Sequence, residues 1–370
     1  MTGDMTVTST QAGGLSGIHT ISNRRAFMQM ASVSAAAVGV ATSIVTANTP
    51  AAAQDTGAWD KVFARSSRVD HRKVDFTNRL GIRLVADLYS PKDAGRGRLP
   101  ALVVGHPFGG VKEQTSGFYA QTMAERGFVT VAMDASFQGE SGGTPHFVSS
   151  PEAYVEDYSA AVDSLGSLPQ VDRGRIGVIG ICGGGGWALK AAQIDPRMRA
   201  IATVSMYDIG QSRRQGLSVS ADPVAEREAL NAAAEQRWKD VDSGMAATRA
   251  DIPDTLAADA DPILREFFDY YRTPRGEHPR ARNLMTISSM GPIFQSDALT
   301  KIETISPRPL LLIMGETAHS RIFSEQAHAR AAEPKELHVV SGAGHVDLYD
   351  KADLIPWSRL EAFFNQHLSA

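Results

Sequence analysis

The sequence predicts an α/β fold, a doubly wound and mostly parallel sheet that carries a helical cap insertion. Short apolar runs alternate with helical patterns along most of the chain, which is typical of buried parallel strands in βα units. A glycine-rich strand–turn–helix segment contains the single cysteine. Between residues 209 and 301 the alternation stops, and the sequence becomes helical, charged and then aromatic, which predicts a cap over a pocket.

Eight apolar runs are predicted strands. The first two, at 72–78 and 82–89, read as an antiparallel hairpin. The other six read as buried strands, at 101–105, 129–133, 176–181, 201–204, 310–314 and 337–340. Helical patterns fall between them at about 113–126, 151–167, 184–194, 321–332 and 353–367. We therefore expect a core formed by residues 54–208 and 302–370.

The first 53 residues are predicted to be a targeting signal rather than part of the fold. The segment Asn23-Arg24-Arg25-Ala26-Phe27-Met28 precedes an uncharged run rich in alanine, and Ala51-Ala52-Ala53 offers a small-residue cleavage site. This arrangement resembles a bacterial twin-arginine export signal, which implies handling by the twin-arginine translocase and release into the periplasm or medium. A spanning helix needs about 20 strongly apolar residues, and this run is short and rich in alanine, so a membrane anchor is not expected.

Composition excludes several classes of function. The formal charge is −4 and the pI is about 6.2, with no basic stripe for a phosphate backbone, so nucleic acid is not an expected partner. The ten histidines are scattered without metal-ligand spacing, so no metal is expected. The lone cysteine cannot form an internal disulfide, and a free thiol in an exported protein is expected to be buried or chemically used.

The cysteine lies in a segment that predicts a nucleophile. Gly180-Ile181-Cys182-Gly183-Gly184 follows a predicted strand and opens a helix, with small residues two positions before and after Cys182, as a sharp nucleophile turn requires. We expect the helix N-terminus to favour the thiolate. Ser141, in Gly139-Glu140-Ser141-Gly142-Gly143, fits the same spacing, but it does not leave a strand directly, and we predict no catalytic role for it.

The remaining site residues follow other strand ends. His345 lies in a glycine-rich loop after the last predicted strand and is the expected base. After the strand at 101–105, Pro107 has no N–H, so the oxyanion donors should be the amides of Gly183 and Phe108.

The acid that would orient His345 is the least determined member of the site. Glu316 is the nearest carboxylate after the strand at 310–314, where Ala318 stands at the position that usually holds an aspartate in such folds. Asp208 is the alternative, and a site without an acid stays open. His319 is expected to be structural or to face the substrate.

Together these motifs resemble the dienelactone hydrolase-like branch of the α/β-hydrolases, over roughly residues 70–208 and 305–368. The resemblance implies a Cys-His-acid triad, carried onto Cys182 and His345 by motif and onto Glu316 by neighbourhood. It also implies hydrolysis of a small ester or lactone without a cofactor. The cap, and His106 where that branch keeps a glutamate beside the thiol, depart from its pattern, so dienelactone itself is not the expected substrate.

Two alternatives to hydrolysis remain: another reaction at the same thiol, or a protein in which the thiol does not catalyse. Acyl transfer to an acceptor other than water needs the same residues and differs in whether the cap excludes water. A thiol redox protein or a silent binding protein belongs to another class, and the presence of His345 and of the Phe108 loop argues against it.

Overall fold

The computed structural model describes residues 51–52, 59–93, 95, 97–217 and 222–369. The predicted export signal at residues 1–53 lies outside the described residues, apart from the two-residue strand β1, Ala51–Ala52. Among the helices of the described ranges, none has the length and apolar content that a bilayer crossing demands.

The core is a nine-stranded sheet in the order β1-β2-β3-β5-β4-β6-β7-β10-β11. The pairs β1–β2, β2–β3 and β3–β5 are antiparallel. The six strands β5, β4, β6, β7, β10 and β11, in their order across the sheet, are parallel. The bounds are β2 Val69–Thr77, β3 Arg83–Pro91, β4 Leu99–Gly105, β5 Val129–Met133, β6 Val171–Ile181, β7 Ile201–Val204, β10 Leu310–Gly315 and β11 Lys335–Val340. The predicted doubly wound, mostly parallel sheet is confirmed.

Helices cover both faces of this sheet. They are α1 Thr115–Ala124, α2 Pro151–Ser167, α3 Gly183–Ile194, α8 Arg321–Arg330, α9 Asp347–Asp350 and α10 Trp357–His367. Local sequence explains where several begin. Ser150 caps α2 by accepting a hydrogen bond from the amide of Ala153, and Pro151 occupies the first helical position, where its missing N–H is not needed.

The cap is inserted between β7 and β10. It contains α4 Ile209–Gln215, α5 Pro223–Ser243, α6 Pro262–Tyr271 and α7 Met290–Phe294, with a short 3-10 helix at Ile287–Ser289. A second 3-10 helix, Ile302–Ile305, follows the cap and precedes β10. The cap also holds a two-stranded antiparallel sheet of β8 Thr248–Ala250 and β9 Leu284–Thr286, which the sequence did not predict. Strands of three residues are too short to leave a periodic pattern.

The topology determines where a site can form. In an open parallel sheet, loops that follow the carboxyl ends of the strands converge on one edge. The loops after β4, β6, β7, β10 and β11 therefore meet at that edge, and the cap lies over it. Every predicted site residue is in one of these loops or at the start of the helix that follows.

Candidate active site

Cys182 occupies a sharp turn between β6 and α3. Its φ of 53° and ψ of −123° lie in a region that side-chain-bearing residues rarely adopt, and such strain is stored where the surrounding structure enforces it. The neighbours must be glycines. A Cβ on Gly180 would lie 2.5 Å from the carbonyl oxygen of Gly184, and a Cβ on Gly184 would lie 2.4 Å from that of His106. This is the geometry of a nucleophile turn.

The two predicted oxyanion donors lie at the sulfur. The backbone amides of Gly183 and Phe108 both hydrogen-bond to Sγ of Cys182. The donors come from the N-terminus of α3 and from the loop after β4, so two separate elements direct N–H groups at one point. His106, in the same loop, points elsewhere: its Nδ1 lies 2.7 Å from the carbonyl of Pro107, and its Nε2 accepts from the amide of Ala135.

His345 is fully buried, and both of its ring nitrogens have partners. Nδ1 lies 2.5 Å from Oγ of Ser320, and Nε2 lies 3.0 Å from the hydroxyl of Tyr349. A proton on Nδ1 satisfies both contacts, because Nδ1–H then donates to Ser320 while Nε2 accepts from Tyr349. Burial, with His319 nearby, holds the pKa of His345 well below its ordinary value, so the ring is neutral at pH 7.

Tyr349 links the histidine to the thiol. Its hydroxyl hydrogen-bonds to Cys182 as well as to His345, and no direct hydrogen bond joins Cys182 to His345 in the described part of the chain. The sequence reasoning missed this residue. Its signal was the spacing from His345, four positions on, which places the two side chains together when the chain turns helically, as it does in α9.

The expected contact between Glu316 and His345 is wrong. Glu316 is exposed, and its carboxylate accepts from the hydroxyl of Ser341 and the amide of Gly342. The alternative, Asp208, caps α4 instead: its oxygens accept from the amides of Gln211 and Ala298. Both carboxylates are used by nearby backbone, and Ser320, at the start of α8, faces Nδ1 of His345 in their place.

The expected thiolate is also wrong for the resting site. Burial raises the pKa of Cys182 to about 11, although the hydrogen bond with Tyr349 and those from the amides of Gly183 and Phe108 act in the opposite direction. Desolvation of a charge thus outweighs the helix N-terminus and the donors. The resting pair is a neutral thiol and a neutral imidazole.

One carboxylate from the cap does reach the histidine loop. Glu266, on α6, accepts from the amide of Val346 and lies 3.1 Å from Nδ1 of His319. Burial opposes ionisation, yet these hydrogen bonds leave the pKa of Glu266 below its ordinary value. The ring of His319 lies 4.7 Å from that of His345, so Glu266 and His319 connect the cap to His345.

A cavity of about 200 Å³ opens beside Cys182. Much of its wall is apolar or aromatic, formed by Phe108, Tyr207, Ile209, Ile252, Phe267 and Tyr271. Arg213, Arg249 and Asp251 supply its charged side. The cap contributes much of this wall, which places the insertion over the nucleophile turn.

Ser141 and the acidic residues near it have structural contacts. Ser141 is buried, donates to the carbonyl of Asp134 and accepts from the amide of Val85. In the described ranges, one group of three carboxylates converges as metal ligands would, at Glu113, Asp134 and Glu140. The ammonium of Lys112 lies within 2.8 Å of an oxygen of each, so a side-chain cation already neutralises the group.

A parallel sheet with a residue at a strained turn after its central strand, a histidine after its last strand and two amides at the sulfur defines an α/β-hydrolase. The model of the X-Pro dipeptidyl-peptidase (S15) family matches residues 81–283, more than half of the chain. The chain belongs to this family, whose peptidases are of the serine type.

Individual relatives agree with this fold. PA2218 of Pseudomonas aeruginosa is 52% identical over 330 residues, 88% of this chain and 89% of the relative, and its crystal structure superposes with a TM-score of 0.82 over 85% of this chain and 98% of that one. The α/β hydrolase GrgF of Penicillium sp. sh18 has 21% identity and a TM-score of 0.68, covering 81% of this chain and 100% of that one. Thiohydrolase aneE of Aspergillus aculeatus is 34% identical over 164 residues, 44% of this chain and 50% of the relative.

Proposed function

We propose that the protein hydrolyses carboxylic esters, thioesters or lactones with Cys182 as nucleophile, through a thioester acyl-enzyme. The observation that carries this proposal is the position of Sγ, which lies on a strained strand–helix turn and receives two backbone N–H groups. A purely structural cysteine has no need of that backbone conformation. The dienelactone hydrolase-like resemblance supports the same chemistry, and the thiohydrolase activity named for aneE adds thioesters to the substrate classes.

The contacts support a proton relay in which two protons move together. As Sγ attacks the carbonyl carbon, its proton passes to the hydroxyl of Tyr349, and the hydroxyl proton of Tyr349 passes to Nε2 of His345. The developing oxyanion accepts from the amides of Gly183 and Phe108. The bond from the carbonyl carbon to the leaving oxygen or sulfur then breaks, reversal of the relay protonates that atom, and the acyl group stays on Sγ. The same base then activates water, whose attack releases the acid and restores the thiol.

The neutral resting pair requires this general-base route. A thiol with its pKa raised by burial reacts slowly on its own, so a base must remove the proton during attack. His345 is suited to that task, because its lowered pKa keeps Nε2 unprotonated at pH 7. The raised pKa of Cys182 also argues against a thiol redox protein, since such thiols are reactive when their pKa is low.

Two alternatives share the site. Acyl transfer needs an acceptor that outcompetes water at the thioester, and the same residues would perform it. Dipeptide release is favoured by the family match. However, a dipeptidyl-peptidase must hold a free terminal ammonium, and the one carboxylate that lines the cavity in the described ranges, Asp251, is paired with two arginines.

One panel distinguishes these functions. The purified protein is incubated with 4-nitrophenyl esters, N-acetylcysteamine thioesters and glycyl-proline 4-nitroanilide, and intact mass is recorded alongside product formation. We expect ester and thioester turnover, an acyl adduct in wild type and neither signal in Cys182→Ala. Addition of amine or alcohol acceptors shows transfer if it diverts the acyl group. Turnover of the anilide alone would contradict the proposal and favour a peptidase.

We also propose export through the twin-arginine route, supported by Arg24, Arg25 and the uncharged run after them. Residues 1–53 fused to a folded reporter should carry it to the periplasm. Replacing both arginines by lysine should retain the reporter in the cytoplasm, because the translocase reads the arginine pair itself. Unchanged export by the lysine pair would refute the twin-arginine route.

A further inference from the structure

The charged side of the catalytic cavity is formed by two arginines that share one carboxylate. Nη2 of Arg213, on α4, lies 2.7 Å from Oδ2 of Asp251. Nη2 of Arg249, on β8, lies 3.4 Å from Oδ1 of the same side chain. All three line the cavity that contains Cys182, and in the part of the chain that the structure describes the rest of the cavity wall carries no charged side chain. Two guanidinium groups against one carboxylate leave a net positive charge facing the cavity.

This group is not saturated by its own contacts. In the described part of the chain, Nε of Arg213 is buried without a hydrogen-bond partner. The Arg249–Asp251 distance of 3.4 Å is long for an ion pair, and the Arg249 side chain is 45% exposed. An exposed pair of that kind adds little to stability, so holding the fold together does not account for a second arginine here.

The backbone holds this group in a defined position relative to the thiol. Arg249 belongs to β8 and Asp251 directly follows that strand, and both residues line the cavity. The amide of Asp251 donates to the carbonyl of Asn283, and the side chain of Asn283 donates to the carbonyl of Gly109. Gly109 is next to Phe108, one of the oxyanion donors. The charged group is thus tied to the oxyanion loop.

We propose that Arg213 and Arg249 form a subsite for an anionic group on the substrate, of the carboxylate class, separated from the scissile carbonyl by an apolar segment. This inference rests on the proposed hydrolase function and specifies its substrate. The planar forks of guanidinium groups match the two oxygens of a carboxylate. Ile209, Ile252 and Phe267, which line the same cavity, suit the apolar segment between the two ends.

The competing explanation is that the ion pairs only fix β8 against α4. A matched set of acyl groups separates the two. The 4-nitrophenyl monoesters of glutaric, adipic and suberic acid carry a terminal carboxylate. Heptanoate is a neutral counterpart and 6-aminohexanoate a cationic one, both of about the length of adipate. We expect kcat/KM to fall from anion to neutral to cation, with the best dicarboxylate preferred over heptanoate by about tenfold to a hundredfold, as charge-assisted hydrogen bonds provide.

The variants carry predictions of opposite sign. Arg249→Gln and Arg213→Gln should each lower the ratio of kcat/KM for the dicarboxylate to kcat/KM for heptanoate most of the way to one. Asp251→Asn should increase the preference, because it removes the competing carboxylate and keeps the shape. Arg83→Gln is the matched control, since Arg83 forms an exposed ion pair with Asp75 outside the cavity. If the wild type and all four variants show the same ratio of kcat/KM for the dicarboxylate to kcat/KM for heptanoate, the subsite does not exist.

A measurement of ligand affinity tests the subsite even if the protein hydrolyses no ester. Calorimetry on Cys182→Ala compares monomethyl adipate with methyl heptanoate, and then repeats the pair in Cys182→Ala with Arg249→Gln. Tighter binding of the anion that the second substitution abolishes supports the subsite even if no ester is hydrolysed, in which case only the proposed function fails. Equal binding of both compounds by Cys182→Ala overturns the subsite, whether or not the wild type hydrolyses esters.

Discussion

The hydroxyl of Tyr349 lies 3.0 Å from Nε2 of His345 and also hydrogen-bonds to the thiol of Cys182. The phenol therefore stands between the proposed nucleophile and the proposed base. Buried surroundings raise the pKa of Tyr349 well above its ordinary value, so the phenol keeps its proton at rest. A phenol in this place transfers a proton by receiving one while it gives up its own.

Tyr349→Phe tests this relay. We expect kcat for the best ester to fall by about a hundredfold or more, the range for removing a general acid–base group, with little change in KM. The solvent isotope effect provides a second readout. Two protons move together in the wild type, so its rate should depend non-linearly on the deuterium fraction, and that curvature should be absent in the variant.

Tyr270→Phe is the matched control, because Tyr270 is also buried and its hydroxyl bonds to Thr115 rather than to the site. Its loss should reduce stability and leave the isotope curve unchanged. If Tyr349→Phe were as active as wild type, His345 would reach Cys182 directly and the relay would be wrong.

Ser320, rather than the predicted Glu316, is expected to affect kcat. Ser320→Ala should lower kcat by about tenfold to a hundredfold, because Nδ1 of His345 loses the hydrogen-bond partner that holds the ring in position. Glu316→Gln should leave kcat unchanged, since its carboxylate bonds to Ser341 and Gly342 rather than to His345. Steady-state kinetics of both variants on one ester provide the comparison. A large loss in Glu316→Gln with normal kcat in Ser320→Ala would restore the original assignment.

Ser141→Ala should affect stability and spare catalysis. The change leaves the buried amide of Val85 and the carbonyl of Asp134 without their hydroxyl partner, which costs about 1–3 kcal/mol of unfolding free energy. Urea unfolding followed by tryptophan fluorescence measures that loss, and kcat of the folded fraction should match the wild type. Abolished turnover in a folded Ser141→Ala protein would contradict the assignment of Cys182.

Much of the fold could be predicted from the sequence, because short stretches of residues determine its strands and its sharp turn. The buried strands of the core were predicted within a few residues at either end, since a run of apolar residues is itself the reason they are buried. Cys182, Gly183 and Phe108 meet in the structure for a similar reason. Glycines at fixed spacing and a proline without an N–H constrain the backbone directly, whatever lies far away.

The partner of His345 could not be predicted in this way. Which side chain of residues 315–320 faces the imidazole depends on how that loop turns into α8, and the tertiary structure brings Ser320 inward while Glu316 faces solvent. The charge state of Cys182 was mispredicted for a related reason. The helix position is visible in the sequence, but the burial that outweighs it is a property of the folded protein, to which residues distant along the chain contribute.

The acid limb of the rate profile follows from His345. Burial lowers its pKa, so the unprotonated ring that accepts a proton persists as the pH falls through 6.5, and protonation removes it only at lower pH. We expect kcat/KM for a neutral ester to stay level between about pH 7 and pH 6, where a solvent-exposed histidine of ordinary pKa would lose most of its base form. A decline centred near 6.5 would contradict the buried, neutral ring.

Alkylation of Cys182 tests the charge of the resting thiol. Its pKa of about 11 means that only about one molecule in ten thousand carries the thiolate at pH 7, and that fraction rises about tenfold with each pH unit up to the pKa. The rate of modification by iodoacetamide, followed by intact mass between about pH 6.5 and 9.5, should therefore climb with unit slope and show no plateau. The urea-unfolded protein is the control, and its rate should level off above about pH 8.5, the ordinary pKa of a free cysteine. A native rate that is already high and flat near pH 7 would mean that the thiol is ionised at rest, paired with a protonated His345 through Tyr349.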